Sequence, residues 1–187
     1  MGIKIPSQVS YAVKGYDLKN SFLPNDGGMK VAAKILTYSY LWNKIRVQGG
    51  AYGTGLSVDR NGGYILYSYR DPSPSASLNA YNDSGKYLEE FVGDDTESLD
   101  NFIISTLAAN DPLVSPRQKG AMADDFYLSG WTDEKRIANR KQMLSTTRDS
   151  LKTWSKALED MAKHGAICVV GNEDALKACG DIEIFEL

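Results

Sequence analysis

Histidine is nearly missing from this chain: His164 is the single one in 187 residues. Zinc hydrolysis needs two or three histidine or carboxylate ligands around an open position. No His-x-x-Glu-His or His-x-x-Glu-x-x-His run is present, so the reading is a chain that holds no metal of its own. His164 itself reads as a helix-end residue, where positive charge is favoured. Cysteine is scarce too. Cys168 and Cys179 make neither a metal motif nor a disulfide framework. Cys168 lies in the apolar run Ala166-Ile167-Cys168-Val169-Val170 and reads as an inert core thiol, which favours a reducing compartment. No Gly-x-Ser-x-Gly elbow is present to activate a serine. An excess of positive charge is also lacking: 21 Lys and Arg stand against 24 Asp and Glu, for a net charge of -3. That leaves no basic stripe for nucleic acid or an anionic membrane. The densest basic stretch, Lys135-Arg136 with Arg140-Lys141, is interleaved with Asp133 and Glu134 and reads as a solvated helix face. No apolar run approaches membrane-spanning length. The opening Met1-Gly2-Ile3-Lys4-Ile5-Pro6 lacks the apolar core of a signal peptide, so a cytoplasmic location is expected.

What the chain does hold is clear periodicity. With 42% hydrophobic and 24% charged residues it has the make-up of an ordinary globular protein, and 1–187 reads as one domain with a real core. Val9, Tyr11 and Val13 alternate with polar or small residues, which predicts a strand over 8–16. Pro24-Asn25-Asp26-Gly27-Gly28 is a turn. Val31, Ile35, Tyr38, Trp42 and Ile45 recur at helical spacing, predicting a helix over 28–46 whose wide apolar face packs on a sheet. Asn61-Gly62 joins two strand-like runs, 52–60 and 63–70, into a hairpin. Asp71-Pro72-Ser73-Pro74 stops the second run.

The later half is mostly helical. One helix is expected near 75–92, and another is capped by Thr96 and runs through Leu107. Ser115-Pro116 starts a third, Thr132 a fourth, and Thr146 or Thr147 a fifth that ends at His164. A buried strand, Ala166 to Val170, and a tail strand, Ile182 to Phe185, close the chain. This order predicts an α+β fold, a mixed sheet with helices packed on one face.

The segment Arg46-Val47-Gln48-Gly49-Gly50-Ala51-Tyr52-Gly53-Thr54-Gly55 sits between the long helix and the hairpin. Its glycines superficially resemble a phosphate cradle, but they follow a helix and precede a strand. The helix would offer its carbonyl end, which repels anions. Two readings of Arg46 and Tyr52 remain. In the structural one, Arg46 caps carbonyls at a helix end and Tyr52 fills core. In the functional one, a rigid helix–glycine–strand corner aims a guanidinium and a phenol at a shared cleft. Arginine supplies fixed donors and tyrosine a hydroxyl on an apolar body. Two such donors suit a peptide carbonyl or a developing oxyanion.

At this point the sequence resembles a known family. Tyr40-Leu41-Trp42-Asn43-Lys44-Ile45-Arg46-Val47-Gln48-Gly49-Gly50-Ala51-Tyr52-Gly53, then Ser68-Tyr69-Arg70-Asp71-Pro72, is similar to the C-terminal domain of the presequence-protease branch of the insulinase (pitrilysin) zinc peptidases. Asp111-Pro112, Ser115-Pro116, Lys119-Gly120 and Tyr127-Leu128-Ser129-Gly130 add to the likeness, which spans about Val9 to Val170. The resemblance implies a mitochondrial-processing-peptidase-like domain, the last of four homologous domains enclosing a peptide-sized chamber. It implies that zinc belongs to the N-terminal catalytic half of the same protein, which would be this domain's partner along with a peptide substrate. It implies that Arg46 and Tyr52 contact substrate at the scissile bond, with Gly49, Gly50 and Ala51 shaping the turn that lets them converge. A zinc endopeptidase of unstructured peptides, silent as this chain alone, is the function so implied. A scaffold domain of processing-peptidase type that has lost catalysis is the alternative. A free-standing peptide-binding module is the third.

Overall fold

The computed structural model describes residues 1–17, 26–94 and 96–186. In chain order the strands are β1 (Gly2–Lys4), β2 (Ser10–Asp17), β3 (Gly53–Val58), β4 (Gly63–Asp71), β5 (Ala166–Gly171) and β6 (Ile184–Glu186). Among the described residues they form one sheet in the order β3-β4-β2-β5-β1-β6. The sequential neighbours β3 and β4 pair antiparallel, as the Asn61-Gly62 turn demands, and β2 is antiparallel to both β4 and β5. β1 runs parallel to β5 and to β6, so the sheet is mixed. The helices are α1 (Gly27–Ile35), a π-helical continuation of it over Leu36–Gln48, α2 (Pro74–Asn82), α3 (Ser84–Gly93), α4 (Leu99–Asn110), α5 (Pro116–Leu128), α6 (Asp133–Leu144), α7 (Arg148–His164) and α8 (Glu173–Lys177).

Strand alternation sorts side chains onto two faces. Ala12, Leu56, Tyr64, Leu66 and Val169 are buried on the covered face. Met29, Ala32 and Ile35 of α1, Leu78 and Tyr81 of α2, and Trp154, Leu158 and Met161 of α7 complete the core there. Full burial of each large side chain stabilises the fold by about 1.5–3 kcal/mol. The same face carries one buried cation. Lys14 Nζ donates to Asn82 Oδ1 and to the Ala162 carbonyl, both at 2.6 Å, at the C-terminal ends of α2 and α7. Those ends carry the negative pole of their helices, which suits the ammonium, while burial pushes its pKa down.

Among the described residues, the other face has no helix over its central row. Register places Gly53, Tyr69, Tyr11, Val170, Ile3 and Phe185 side by side across all the strands. Cys168 stands on this face next to Val13 and is only half-buried, so it is not the core thiol its apolar neighbours suggest. The strand expected to be buried over Ala166 to Val170 is β5, and among the described residues helices cover one side of it.

Several boundaries differ from the pattern-based expectation for physical reasons. Pro24 and Asn25 of the expected turn lie outside the described residues. Asp26 is the N-cap of α1, its carboxylate accepting from the Gly28 amide at 2.7 Å, and Gly27 and Gly28 are already helical. The single helix expected near 75–92 is two, α2 and α3, divided at Asp83. Thr96 caps nothing: its amide donates to Asp94 Oδ1, and Ser98 precedes α4. The Ser115, Thr132 and Thr147 caps stand as read, each side chain accepting an amide hydrogen bond three residues on. β1 and α8 are short elements that no periodicity marks; tertiary pairing makes them. The largest departure is the π-helix, which bears on the site.

Candidate functional site: the helix–glycine–strand corner

Arg46 lies in the last turn of the π-helix. Widening the hydrogen-bonded turn by one residue changes which side chains share a stripe. Tyr38 and Trp42, expected against the sheet, therefore face outward. Tyr38 is 51% exposed and Trp42 is half-buried, whereas Leu41 and Ile45 take the core positions. Residues four apart then stack along the outer stripe. The Arg46 guanidinium carbon sits 3.9 Å from the Trp42 ring centre, Trp42 stacks on Tyr38 at 6.2 Å, and Lys34 Nζ lies 4.8 Å from the Tyr38 ring. A cation over an indole face is held by the ring quadrupole, worth about 0.5–2 kcal/mol. Among the described residues no carboxylate pairs with Arg46 and no carbonyl accepts from it, so it is not the helix-end cap of the structural reading.

The turn itself is tightly specified. The Gly50 amide donates to the Arg46 carbonyl at 3.0 Å and the Ala51 amide to the Ile45 carbonyl at 3.1 Å, so the chain reverses against the end of the helix. Gly50 has φ +79°, where a side chain is strained. Gly49 is a different case. Its φ of -84° is ordinary, but a Cβ there would stand 2.6 Å from the Ile45 carbonyl oxygen. Only Gly50 takes the left-handed conformation; Gly49 is required for close approach. Ala51 is 3% exposed and anchors the bend in the core.

Tyr52 opens the hairpin. Its amide donates to the Tyr69 carbonyl at 3.2 Å, and its ring packs at 5.3 Å, tilted by 60°, on the Tyr69 ring. Tyr69 in turn lies flat across Gly53, where a Cβ would meet its ring at 2.3 Å. The phenol of Tyr52 is 60% exposed, so it does not fill core. Beyond Tyr69 the chain is pinned by Asp71, which is 1% exposed. Asp71 Oδ2 accepts from the Ser68 and Ser77 hydroxyls, each at 2.6 Å, and Oδ1 from the Ser73 amide at 2.9 Å. This carboxylate ties the end of β4 to the first turn of α2, whose dipole favours negative charge.

The geometry thus joins five residues singled out in the sequence, Arg46, Gly49, Gly50, Ala51 and Tyr52, in one short bend, with Arg46 at its helical end and Tyr52 at its strand end. Sequence reasoning missed Trp42 and Tyr69 as the rings that hold the two polar groups. The i,i+4 spacing of Trp42 to Arg46, and the place of Tyr69 opposite Gly53 in the hairpin, are the signals that could have found them. His164 is exposed and pairs with Asp160 at 3.0 Å, a contact between neighbours on one helix surface. Among the described residues no group of three or more His, Cys, Asp or Glu is placed to hold a metal ion. No helix of the described residues is long and apolar enough to cross a membrane.

Protein HypA of Clostridium perfringens is 34% identical over 181 residues, covering 97% of this chain and 18% of that protein. Presequence protease 1, chloroplastic/mitochondrial, of Arabidopsis thaliana is 33% identical over 174 residues, 92% of this chain and 16% of that protein. The chain thus spans under a fifth of the length of these relatives. The fold also matches a protease from Helicobacter pylori, with a TM-score of 0.64 at 13% identity, covering 91% of this chain and 43% of that one. A peptidase inactive domain from Pseudomonas fluorescens gives 0.61 at 12% identity, with 91% and 43% covered. The family model for the PreP C-terminal domain matches residues 2–173, a span that takes in the sheet, the π-helix and the Arg46–Tyr52 bend. With a family model over nearly the whole chain and these relatives in agreement, the chain belongs to the PreP (presequence protease) C-terminal domain family.

Proposed function

We propose that this chain is the substrate-contacting domain of a zinc metalloendopeptidase that degrades unstructured peptides, the last of four homologous domains in the parent protein. Zinc in this reading is held by the N-terminal half, which is the domain's partner. Arg46 and the Tyr52 hydroxyl donate hydrogen bonds to the carbonyl of the scissile bond and to the oxyanion that forms from it. Gly49, Gly50 and Ala51 keep the floor of the bend low, so that an extended peptide backbone can approach. The parent enzyme works in the cytoplasm on this reading.

One observation carries the proposal: a guanidinium that has no carboxylate partner among the described residues and a 60% exposed tyrosine stand at the two ends of a bend whose backbone is over-determined. Donors fixed before the reaction stabilise developing charge without reorganisation. A silent scaffold would have no need for the pair of Arg46 and Tyr52. The uncovered sheet face, with Tyr11 41% and Tyr69 38% exposed, is the surface against which the rest of the parent or its substrate would lie.

The test uses this chain as it stands. Incubated with zinc and a flexible fluorogenic peptide, it is expected to give no turnover, while the parent protein cleaves the same peptide and loses that activity to a chelator. Turnover by this chain that a chelator abolishes would overturn the assignment of zinc to another part of the protein.

A further inference from the structure

Arg70 is the described residue that departs most from what its residue type prefers. Its φ is +50°, and no other non-glycine among the described residues has a positive φ. The cause lies in the β2–β4 ladder. Ser10 pairs with Asp71 and Tyr11 with Tyr69, so Arg70 is an extra residue bulged out of β4. A left-handed bulge position is one that glycine fills without strain. This chain places arginine there and holds it from both sides: Tyr69 is packed on Tyr52, and Asp71 is tied into α2 by three hydrogen bonds. The bulge turns Arg70 toward the corner, its guanidinium carbon 6.0 Å from the Tyr52 ring. The residue is exposed, and among the described residues it has no carboxylate partner. Strain kept by a well-determined neighbourhood at such a place points to use.

Resting on the proposed function above, we infer that Arg70 is a second substrate-binding guanidinium, beside Tyr52, and that it takes a carboxylate of the bound peptide. The planar fork of arginine matches a carboxylate with two parallel hydrogen bonds. A lysine's point charge would not need so fixed a backbone. The carboxylate can come from an acidic side chain near the scissile bond or from the peptide's free C-terminus, and both present the same group.

The experiment compares the parent protein with its Arg70→Gly, Arg70→Lys and Arg46→Ala variants. Three flexible peptides of one length serve as probes: neutral with an amidated end, neutral with a free C-terminal acid, and amidated with a glutamate near the cleaved bond. Glycine relieves the backbone strain, so Arg70→Gly is expected to fold with an unchanged or higher melting temperature. The ratio of kcat/KM for one acidic peptide over the neutral one should fall by about tenfold, the scale of one lost charged hydrogen-bonding contact. Arg70→Lys should keep part of it. The peptide whose ratio collapses identifies the source of the carboxylate. Unchanged ratios in Arg70→Gly, together with a large rate loss in Arg46→Ala, would overturn the Arg70 assignment and leave the corner intact. No rate loss in Arg46→Ala would bring down the reading beneath it, and this assignment with it.

Discussion

At the scale of single residues, the corner depends on what two glycines avoid. They avoid different things, and the difference is measurable. In Gly50→Ala the new Cβ meets nothing nearer than Pro72 Cγ at 3.6 Å, so the penalty is the left-handed backbone alone, about 1–2 kcal/mol. In Gly49→Ala the Cβ meets the Ile45 and Lys44 carbonyl oxygens at 2.6 and 3.2 Å, and the end of the helix must move. Overpacking against backbone costs up to about 3 kcal/mol. Urea unfolding of the two variants should therefore show Gly49→Ala as the less stable one, and the reverse order would contradict this account of the bend. These glycines, with Arg46 and Tyr52, could be read in the sequence because glycine pairs between a helical and a strand period have few other uses. Arg70 could not, because nothing about an arginine announces a position that suits glycine. The sequence also left open whether Tyr52 fills core, since tyrosine is at home in both places. Exposure decided it, through the Tyr69 ring that takes the space beside it.

At the scale of elements, the helix and the hairpin were readable and the register of the helix was not. The apolar recurrence of Val31, Ile35 and Ile45 holds for both an α- and a π-register, but Tyr38 and Trp42 move from the core side to the outside when the turn widens. Hydrophobic periodicity cannot see that change, because the stripe it reports has aromatic members that serve either side. The edge strand supplies one reason for the register: the Leu56 amide of β3 donates to Thr37 Oγ1 at 3.1 Å, so the widened helix lies along the edge and covers it. The other end of the hairpin is fixed by Asp71. Asp71→Asn removes a carboxylate that accepts from Ser68, Ser77 and Ser73, and puts an amide donor among donors. Stability should fall by about 1–3 kcal/mol, and the Ser73 amide should lose protection from hydrogen exchange. An unchanged unfolding midpoint would show that the buried carboxylate does not hold β4 to α2.

At the scale of the whole molecule, the layered fold puts nearly all burial on one side of the sheet and leaves aromatic rings on the other. That arrangement was legible as α+β because strands came early and helices late. The tail strand expected over Ile182 to Phe185 is β6, whereas the three-residue β1 was beyond the reach of pattern: it is too short to alternate, and parallel pairing to β5 and β6 is what makes it a strand. The open side and the Arg46–Tyr52 bend meet at the row Gly53, Tyr69, Tyr11, so the proposed carbonyl contacts would lie at the edge of the surface that the described residues leave uncovered. The central claim is that Arg46 and Tyr52 donate to a reacting carbonyl there. Steady-state kinetics of the parent protein with Arg46→Ala and Tyr52→Phe test it most directly. The account expects kcat to fall about 100- to 1,000-fold for each variant, with KM changed far less, because the donors act on charge that develops in the transition state. Two variants that cleave flexible peptides at the parent's rate would contradict it.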